Sequence, residues 1–111
     1  LLAVNYGSRQ EILDGVRAMM SDCARGALAP GEVTEKTFGS YLYTAGLPDP
    51  DLLIRTSGEQ RISNFMLWQL SYAELYFPEK YWPDFRKQDF LEAIEVYGKR
   101  CRRFGGIGKK A

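Results

Sequence analysis

Two arginines and two small residues lie close together near the middle of the chain and could bind a phosphorylated ligand. Arg55 and Arg61 are six positions apart, Gly58 lies between them, and Ser63 follows. A guanidinium group donates paired hydrogen bonds to phosphate oxygens, and a serine hydroxyl can donate a further one. The alternative is that the arginines form ordinary salt bridges with the nearby carboxylates of Asp49, Asp51 or Glu59. For either arginine alone we favour the salt bridge; for the pair we favour anion binding.

The flanking apolar runs predict the elements that would position these residues. Leu52–Ile54 has the length and composition of a buried strand, and we predict a strand over Asp51–Arg55. Phe65–Trp68 predicts a helix that runs from Ser63 to Tyr72, with Ser63 as its N-cap. Because the N–H groups and the dipole at a helix start attract anions, this junction predicts a phosphate site.

Glu74 is the carboxylate most in need of a partner. It lies in the largely aromatic stretch Tyr72–Phe77, where an unpaired charge would be costly. From spacing alone we favour an ion pair with Arg55 or Arg61. The alternative is Mg²⁺, which takes one or two protein carboxylates and completes its shell with phosphate oxygens and water.

Composition narrows the function class. The 111 residues are 45% hydrophobic, which allows one modest core, and the net charge of +1 argues against a nucleic-acid-binding protein. The absence of histidine excludes a Ser-His-Asp triad and His-containing zinc sites. We expect the two cysteines to be free thiols, and we find no membrane span and no secretory signal, so we expect a cytoplasmic protein. The basic C-terminus could be a solvated tail or a second anion contact.

The rest of the pattern alternates strands and helices. We predict a first strand over Leu1–Asn5, then a helix that begins in a capping box of Ser8 and Glu11 and ends near Gly26. The apolar stripe of this helix comprises Ile12, Val16, Met19, Met20 and Cys23. Thr34 is the predicted cap of a shorter helix.

Further elements follow the arginine segment. We predict a strand over Ala73–Phe77, a turn at Trp82–Phe85 and a last helix over Lys87–Arg103. The inward stripe of this helix is predicted to contain Phe90, Leu91, Ile94, Tyr97, Cys101 and Phe104. The order of elements predicts an α/β fold, in which ligands bind beyond the carboxyl ends of the strands.

Several long motifs resemble the cis-prenyltransferases, with the bacterial undecaprenyl pyrophosphate synthases as the most similar group. The matching segments are Asp51–Phe65, Leu67–Gln69, Tyr72–Phe77, Trp82–Phe85 and Arg102–Gly106. Asn5–Arg9 matches the family's Asn-Tyr-Gly-Gly-Arg segment, with Ser8 in place of the second glycine. The resemblance covers nearly the whole chain.

The resemblance implies an enzyme of isoprenoid and cell-wall lipid synthesis that condenses isopentenyl diphosphate repeatedly onto farnesyl diphosphate. By position, Arg55, Arg61 and Ser63 correspond to the residues that hold isopentenyl diphosphate, and Glu74 corresponds to the catalytic, magnesium-linked glutamate. Arg103 and Gly105 match an Arg-x-Gly motif that reaches the partner's substrate in the family's homodimers. The lipid product implies at most peripheral membrane contact. Gln60 stands where some relatives have histidine, so a proton-handling role there is doubtful.

The resemblance also implies that residues 1–111 are the C-terminal part of a single cis-prenyltransferase domain with a mostly parallel sheet. The family's other half, with its Asp-Gly-Asn-Gly-Arg loop, is absent from this sequence. We therefore expect no catalysis from these residues alone. The alternative is a non-catalytic partner subunit of a cis-prenyltransferase complex. Such subunits tend to lose the phosphate-binding residues, which are all present here.

Overall fold

The computed structural model describes residues 1–100, which form two compact units. The helical unit comprises Leu1–Pro48 together with Asn64–Leu67, and the strand unit comprises Asp49–Ser63 and, within the described residues, 68–100. No helix among residues 1–100 has the length and apolar character needed to cross a membrane.

The helical unit contains the first two predicted helices. Helix α1 spans Ser8–Ala24, and Gly26 follows it in the left-handed conformation with φ 76°, close to the predicted end. A 3₁₀ turn covers Pro30–Glu32, and helix α2 spans Glu35–Gly39. The Thr34 hydroxyl accepts a hydrogen bond of 3.1 Å from the Thr37 N–H, which confirms Thr34 as the N-cap.

The buried face of α1 shares only Met19 with the predicted apolar stripe, in which Ile12 and Cys23 are half-buried. Ser8, Glu11, Gly15 and Met19 are buried, whereas Val16 and Met20 are exposed. Gly15 accounts for the position of the buried face. A Cβ at this residue would lie 3.4 Å from the Tyr41 carbonyl oxygen and 3.5 Å from the Phe38 ring. The small residue therefore lets the segment after α2 approach the helix closely.

The predicted capping box of Ser8 and Glu11 is wrong. Gly7 is the N-cap and makes no side-chain cap bond, and Ser8 is already helical. Asn64 caps the helix from elsewhere in the sequence: its carbonyl accepts from the Ser8 N–H and its Oδ1 accepts from the Arg9 N–H, both at 2.8 Å. The Ser8 hydroxyl instead accepts from the Leu67 N–H at 2.9 Å.

The predicted strand over Leu1–Asn5 is also wrong. These residues are irregular and exposed, and Asn5 has a φ of 52°. A strand needs a neighbour to accept its hydrogen bonds. Within residues 1–100 the only strands are two that pair with each other.

Those two strands, with the last helix, define the strand unit. Strand β1 spans Leu52–Ile54 and strand β2 spans Glu74–Tyr76, and they pair in parallel. A 3₁₀ turn at Trp82–Asp84 leads to helix α3 over Lys87–Lys99. The parallel pairing and the helices confirm an α/β fold.

Two predictions for this unit fail. Turns, not a helix, occupy the chain from residue 63 to 72. Ser63 has a φ of 45°, whereas an N-cap residue is extended, so Ser63 caps no helix. On α3 the fully buried residue is Ala93, whereas Phe90 and Ile94 of the predicted stripe are exposed. The predicted end of this helix at Arg103 lies outside the described residues.

Candidate functional site

Arg55 lies at the carboxyl end of β1 and connects the two ends of residues 55–63, here called the arginine loop. Its N–H donates to the Tyr76 carbonyl at 2.9 Å and so extends the parallel ladder by one residue. Its side-chain Nη1 donates to the Arg61 carbonyl at 2.5 Å and to the Ser63 hydroxyl oxygen at 3.1 Å. The structure therefore brings Arg55 and Ser63 into direct contact, at the strand end where the sequence predicts an anion site.

The tip of the arginine loop is held by main-chain hydrogen bonds. The Ser57 N–H donates to the Lys80 carbonyl at 2.7 Å, and the Gly58 N–H donates to the Pro78 carbonyl at 2.9 Å. Both residues have left-handed φ angles, 72° and 69°. Because these two N–H groups already have acceptors, they are not available to an anion, whereas the side chains of the loop offer further donors.

The Arg61 guanidinium pairs with the Glu59 carboxylate. Its Nε lies 3.6 Å from the Glu59 Oε2, and the two side chains are 74% and 46% exposed. Such an exposed pair contributes little to stability. The salt bridge that the sequence offered as the alternative therefore forms, and it leaves the guanidinium accessible to a ligand.

Glu74 lies at the opposite end of the strand pair. It is the first residue of β2 and pairs with Leu52, whereas Arg55 comes three residues after Leu52, directly beyond the end of β1. At the rise of a parallel strand this separates the two by about 10 Å along the sheet. Among residues 1–100 no ion pair joins Glu74 to either arginine, so the pairing favoured from spacing is wrong.

Glu74 is half-buried, and its N–H donates to the Asp51 carbonyl at 2.9 Å. In the described part of the chain no three acidic or thiol side chains converge on a point that could hold a metal ion. Glu74 could accordingly supply one ligand of a metal site, but not the whole site. Of the other predicted residues, Gln60 is exposed, and Arg103 and Gly105 lie outside the described residues.

An ion pair supports the segment that holds the loop tip. Lys80 Nζ lies 2.7 Å from Asp89 Oδ1, and the Asp89 Oδ2 accepts from the Arg86 N–H at 2.8 Å at the start of α3. The hydrogen bond from Lys80, with that from Arg86, lowers the pKa of the Asp89 carboxyl. The same contact raises the pKa of Lys80. Sequence reasoning missed this pair because it joins residues nine positions apart.

A second carboxylate that the sequence misjudged is Glu11 in the helical unit. It is fully buried, its Oε2 accepts from the Tyr43 N–H at 2.8 Å, and its Oε1 accepts from the Tyr6 hydroxyl. Burial, together with this hydrogen bond, raises the pKa of Tyr6. Glu11 is therefore a structural residue that fastens two segments to α1. An available signal was Tyr6 five positions before a glutamate at the start of an apolar helix.

The arginine–serine cluster lies at the carboxyl end of a parallel strand pair, which is where α/β folds bind ligands, and its arginine is suited to a phosphate group. Comparison with known proteins identifies the class. Residues 1–105 match the family model described as "Putative undecaprenyl diphosphate synthase". The chain belongs to this family of prenyltransferases.

Individual relatives agree with this assignment. The chain is 59% identical to an isoprenyl transferase of Geobacillus kaustophilus over 97% of its length, which is 42% of that protein. It is 55% identical to a tritrans,polycis-undecaprenyl-diphosphate synthase (geranylgeranyl-diphosphate specific) of Thermoplasma volcanium, over 94% of the chain and 40% of that protein. The chain thus spans less than half the length of these relatives.

A solved structure supports the fold. The lavandulyl diphosphate synthase of Lavandula x intermedia, in complex with dimethylallyl diphosphate, superposes with a TM-score of 0.89 at 46% identity. The match covers 94% of this chain and 45% of the plant enzyme.

Proposed function

We propose that this chain is part of a cis-prenyltransferase that condenses isopentenyl diphosphate onto farnesyl diphosphate to build a long polyprenyl diphosphate. The observation that carries the proposal is the contact between Arg55 and Ser63 at the carboxyl end of β1, in a member of this enzyme family. A site of this kind binds a diphosphate through charge-assisted hydrogen bonds. The residues that would make those bonds are all present.

Each residue of the arginine loop has a distinct part in binding isopentenyl diphosphate. Arg61 has an exposed guanidinium whose only ion pair among residues 1–100 is the weak one with Glu59, so it can turn to the diphosphate. Arg55 supplies positive charge at the strand end, and Ser63 supplies a hydroxyl beside it. Together they would hold the diphosphate and leave the alkene free to attack the allylic partner.

Glu74 fits the role of one Mg²⁺ ligand. It is a half-buried carboxylate, and no ion pair to an arginine or lysine engages it among the described residues. Magnesium bound there would need further oxygen ligands, from an aspartate elsewhere in the enzyme and from diphosphate. When bound, the ion would neutralise the charge that develops on the departing diphosphate. Because Glu74 is the first residue of β2, the strand would hold its carboxylate in position.

The basic tail is proposed to act across a homodimer. By resemblance, Arg103 and Gly105 would reach the substrate of the partner subunit. Mixing two full-length variants tests this: one truncated after Arg102, the other carrying Arg61→Ala. If the tail acts in trans, one site of the mixed dimer carries both defects and the other carries neither, so activity should partly return. If heterodimers form and no activity returns, the tail acts within its own subunit.

We propose farnesyl diphosphate as the allylic substrate. The names of the relatives mention geranylgeranyl diphosphate in one case and dimethylallyl diphosphate in another. Farnesyl diphosphate is our choice from the resemblance to bacterial enzymes. We place the enzyme in the cytoplasm, with at most peripheral membrane contact through its lipid product.

The test is product formation by the full-length protein and by residues 1–111 alone. With labelled isopentenyl diphosphate, farnesyl diphosphate and Mg²⁺, the full-length protein should make a long polyprenyl diphosphate and residues 1–111 should make none. A full-length protein that is active only after addition of a second prenyltransferase subunit would identify it as a non-catalytic partner instead. No elongation under either condition would refute the proposed reaction.

A further inference from the structure

The Arg55 side chain makes two hydrogen bonds within the arginine loop. Its Nη1 group bonds both the Arg61 carbonyl, six residues away, and the Ser63 hydroxyl oxygen, eight residues away. One nitrogen thus closes the loop at its base, while the carbonyls of Pro78 and Lys80 hold its tip.

The chemistry of the two groups fixes the direction of the Arg55–Ser63 bond. A guanidinium only donates hydrogen bonds, so the Ser63 oxygen must accept this one. The single hydroxyl hydrogen of Ser63 is then directed away from Arg55 and is available to another acceptor. A serine without this neighbour could rotate its hydroxyl freely and would lose that freedom on binding a ligand.

We propose that Arg55 is a positioning residue as well as a substrate contact, because its Nη1 closes the arginine loop and directs the Ser63 hydroxyl to the bound diphosphate. This inference rests on the proposed function. Of the five guanidinium N–H groups, the two on Nη1 serve the loop, and the three on Nε and Nη2 have no partner among residues 1–100. Arg55 can therefore bind the loop and the substrate at the same time.

Lysine could not replace Arg55 in this role. Its ammonium is a compact charge on a flexible stem and lacks the planar fork that presents several donors in fixed directions. Arg55→Lys keeps the charge of the site but loses the geometry that orients Ser63. The Arg55→Lys variant therefore distinguishes a positioning role of Arg55 from simple electrostatic attraction of the diphosphate.

Ser63→Gly is the matching change at the other end of the bond. It removes the hydroxyl and suits the left-handed backbone, because Ser63 has a φ of 45°. The control is Ser57→Gly in the same loop, where φ is 72° and the N–H that bonds Lys80 is retained. Both changes remove one serine side chain at a left-handed position, but only Ser63 contacts Arg55.

The experiment is a double-mutant cycle in the full-length enzyme. Isothermal titration calorimetry measures the affinity for isopentenyl diphosphate. Mg²⁺ and farnesyl thiodiphosphate, an allylic analogue that reacts slowly, are present throughout. Ser63→Gly should weaken binding about tenfold and Arg55→Lys at least as much. The double variant should lie within about twofold of Arg55→Lys, because Ser63 contributes only when Arg55 orients it. Ser57→Gly should stay within about twofold of the wild type.

Fold-changes that multiply in the double variant would overturn the inference, as would wild-type affinity in Ser63→Gly. If Arg61→Ala also binds with wild-type affinity, the proposed diphosphate site itself fails, which separates the two failures. Far-ultraviolet circular dichroism and thermal melts check folding. If Arg55→Lys does not fold, Arg55→Gln takes its place in the cycle, with the same expected lack of additivity.

Discussion

The two ends of the β1–β2 pair differ in the hydrogen bonds and ion pairs that their charged side chains form. At the carboxyl end, Arg55 bonds the Arg61 carbonyl and Ser63, and carbonyls from the segment after β2 hold the loop tip. At the amino end, Glu74 is half-buried and forms no ion pair within the described part of the chain. Residues 1–100 thus preorganise Arg55 and Ser63 on the diphosphate side of the proposed site and offer Glu74 alone for the metal side.

This difference has a physical consequence. A preformed cluster of donors binds an anion without first paying the entropy of ordering its own side chains. A half-buried carboxylate, in contrast, gains most from a cation supplied by another part of the enzyme or by solvent. The comparison therefore predicts binding defects at one end and turnover defects at the other.

The largest effect is expected from Glu74→Gln in the full-length enzyme. The change keeps the shape of the side chain and removes the charge that would bind Mg²⁺, so kcat should fall by about 100-fold or more. The magnesium concentration for half-maximal activity should rise. Steady-state rates over a magnesium titration measure both. The control is Glu92→Gln on the exposed side of α3. Wild-type turnover of the Glu74→Gln variant at limiting magnesium would show that Glu74 is not a metal ligand.

Arg61→Ala should mainly weaken binding of isopentenyl diphosphate. Losing one charge-assisted contact costs about 1.5–3 kcal/mol, so the KM for this substrate should rise by roughly 10–150-fold. The matched control is Arg17→Ala in α1, because Arg17 also forms an exposed pair, at 3.6 Å from Asp14, with its side chain 69% exposed. A similar rise in KM for both variants would indicate a general effect of charge rather than a site.

Glu11→Gln should affect stability and not substrate binding. The buried carboxylate accepts hydrogen bonds from Tyr6 and from the Tyr43 N–H, one at each oxygen, and an amide would place an NH₂ donor where one of these acceptors is needed. The free energy of unfolding should fall by about 1–3 kcal/mol, as measured by urea denaturation. A Glu11→Gln variant with wild-type stability and an altered KM would contradict the structural role that we assign to Glu11.

The smallest effect is expected from Asp89→Asn, and it should depend on pH. The folded-state pKa of Asp89 is lowered by Lys80, so its contribution is present above the unfolded-state pKa of about 3.9 and is lost as pH falls through the folded value. The variant should therefore melt slightly below the wild type at neutral pH and approach it in acid. A difference between the two that grows on acidification would contradict the assignment.

Sequence alone predicted the parts of the fold whose signals are local. β1 and β2 follow from short apolar runs, and Thr34 is a cap whose partner is three residues away. The failures involve distant partners. Asn64 occupies the start of α1 and takes the place of the predicted capping box. Consecutive left-handed residues at Ser63 and Asn64 interrupt the helical pattern that the apolar residues suggested.

The candidate site shows the same division. The contact between Arg55 and Ser63 was predictable because both lie around one short loop after a strand. The position of Glu74 was not, because the parallel register that pairs it with Leu52 is set by hydrogen bonds between segments 22 residues apart in sequence. That register places Arg55 three residues beyond Leu52, the residue that pairs with Glu74, and so prevents the ion pair that spacing had favoured.

The most direct test of the central claim is a crystal structure of the full-length enzyme with isopentenyl diphosphate bound. We predict that the diphosphate oxygens accept from the side chains of Arg55, Arg61 and Ser63. The Ser57 and Gly58 N–H groups should remain bonded to Lys80 and Pro78, as they are here. A diphosphate held by those two N–H groups, or one bound near Glu74 without either arginine, would contradict the assignment of the carboxyl end as the diphosphate site.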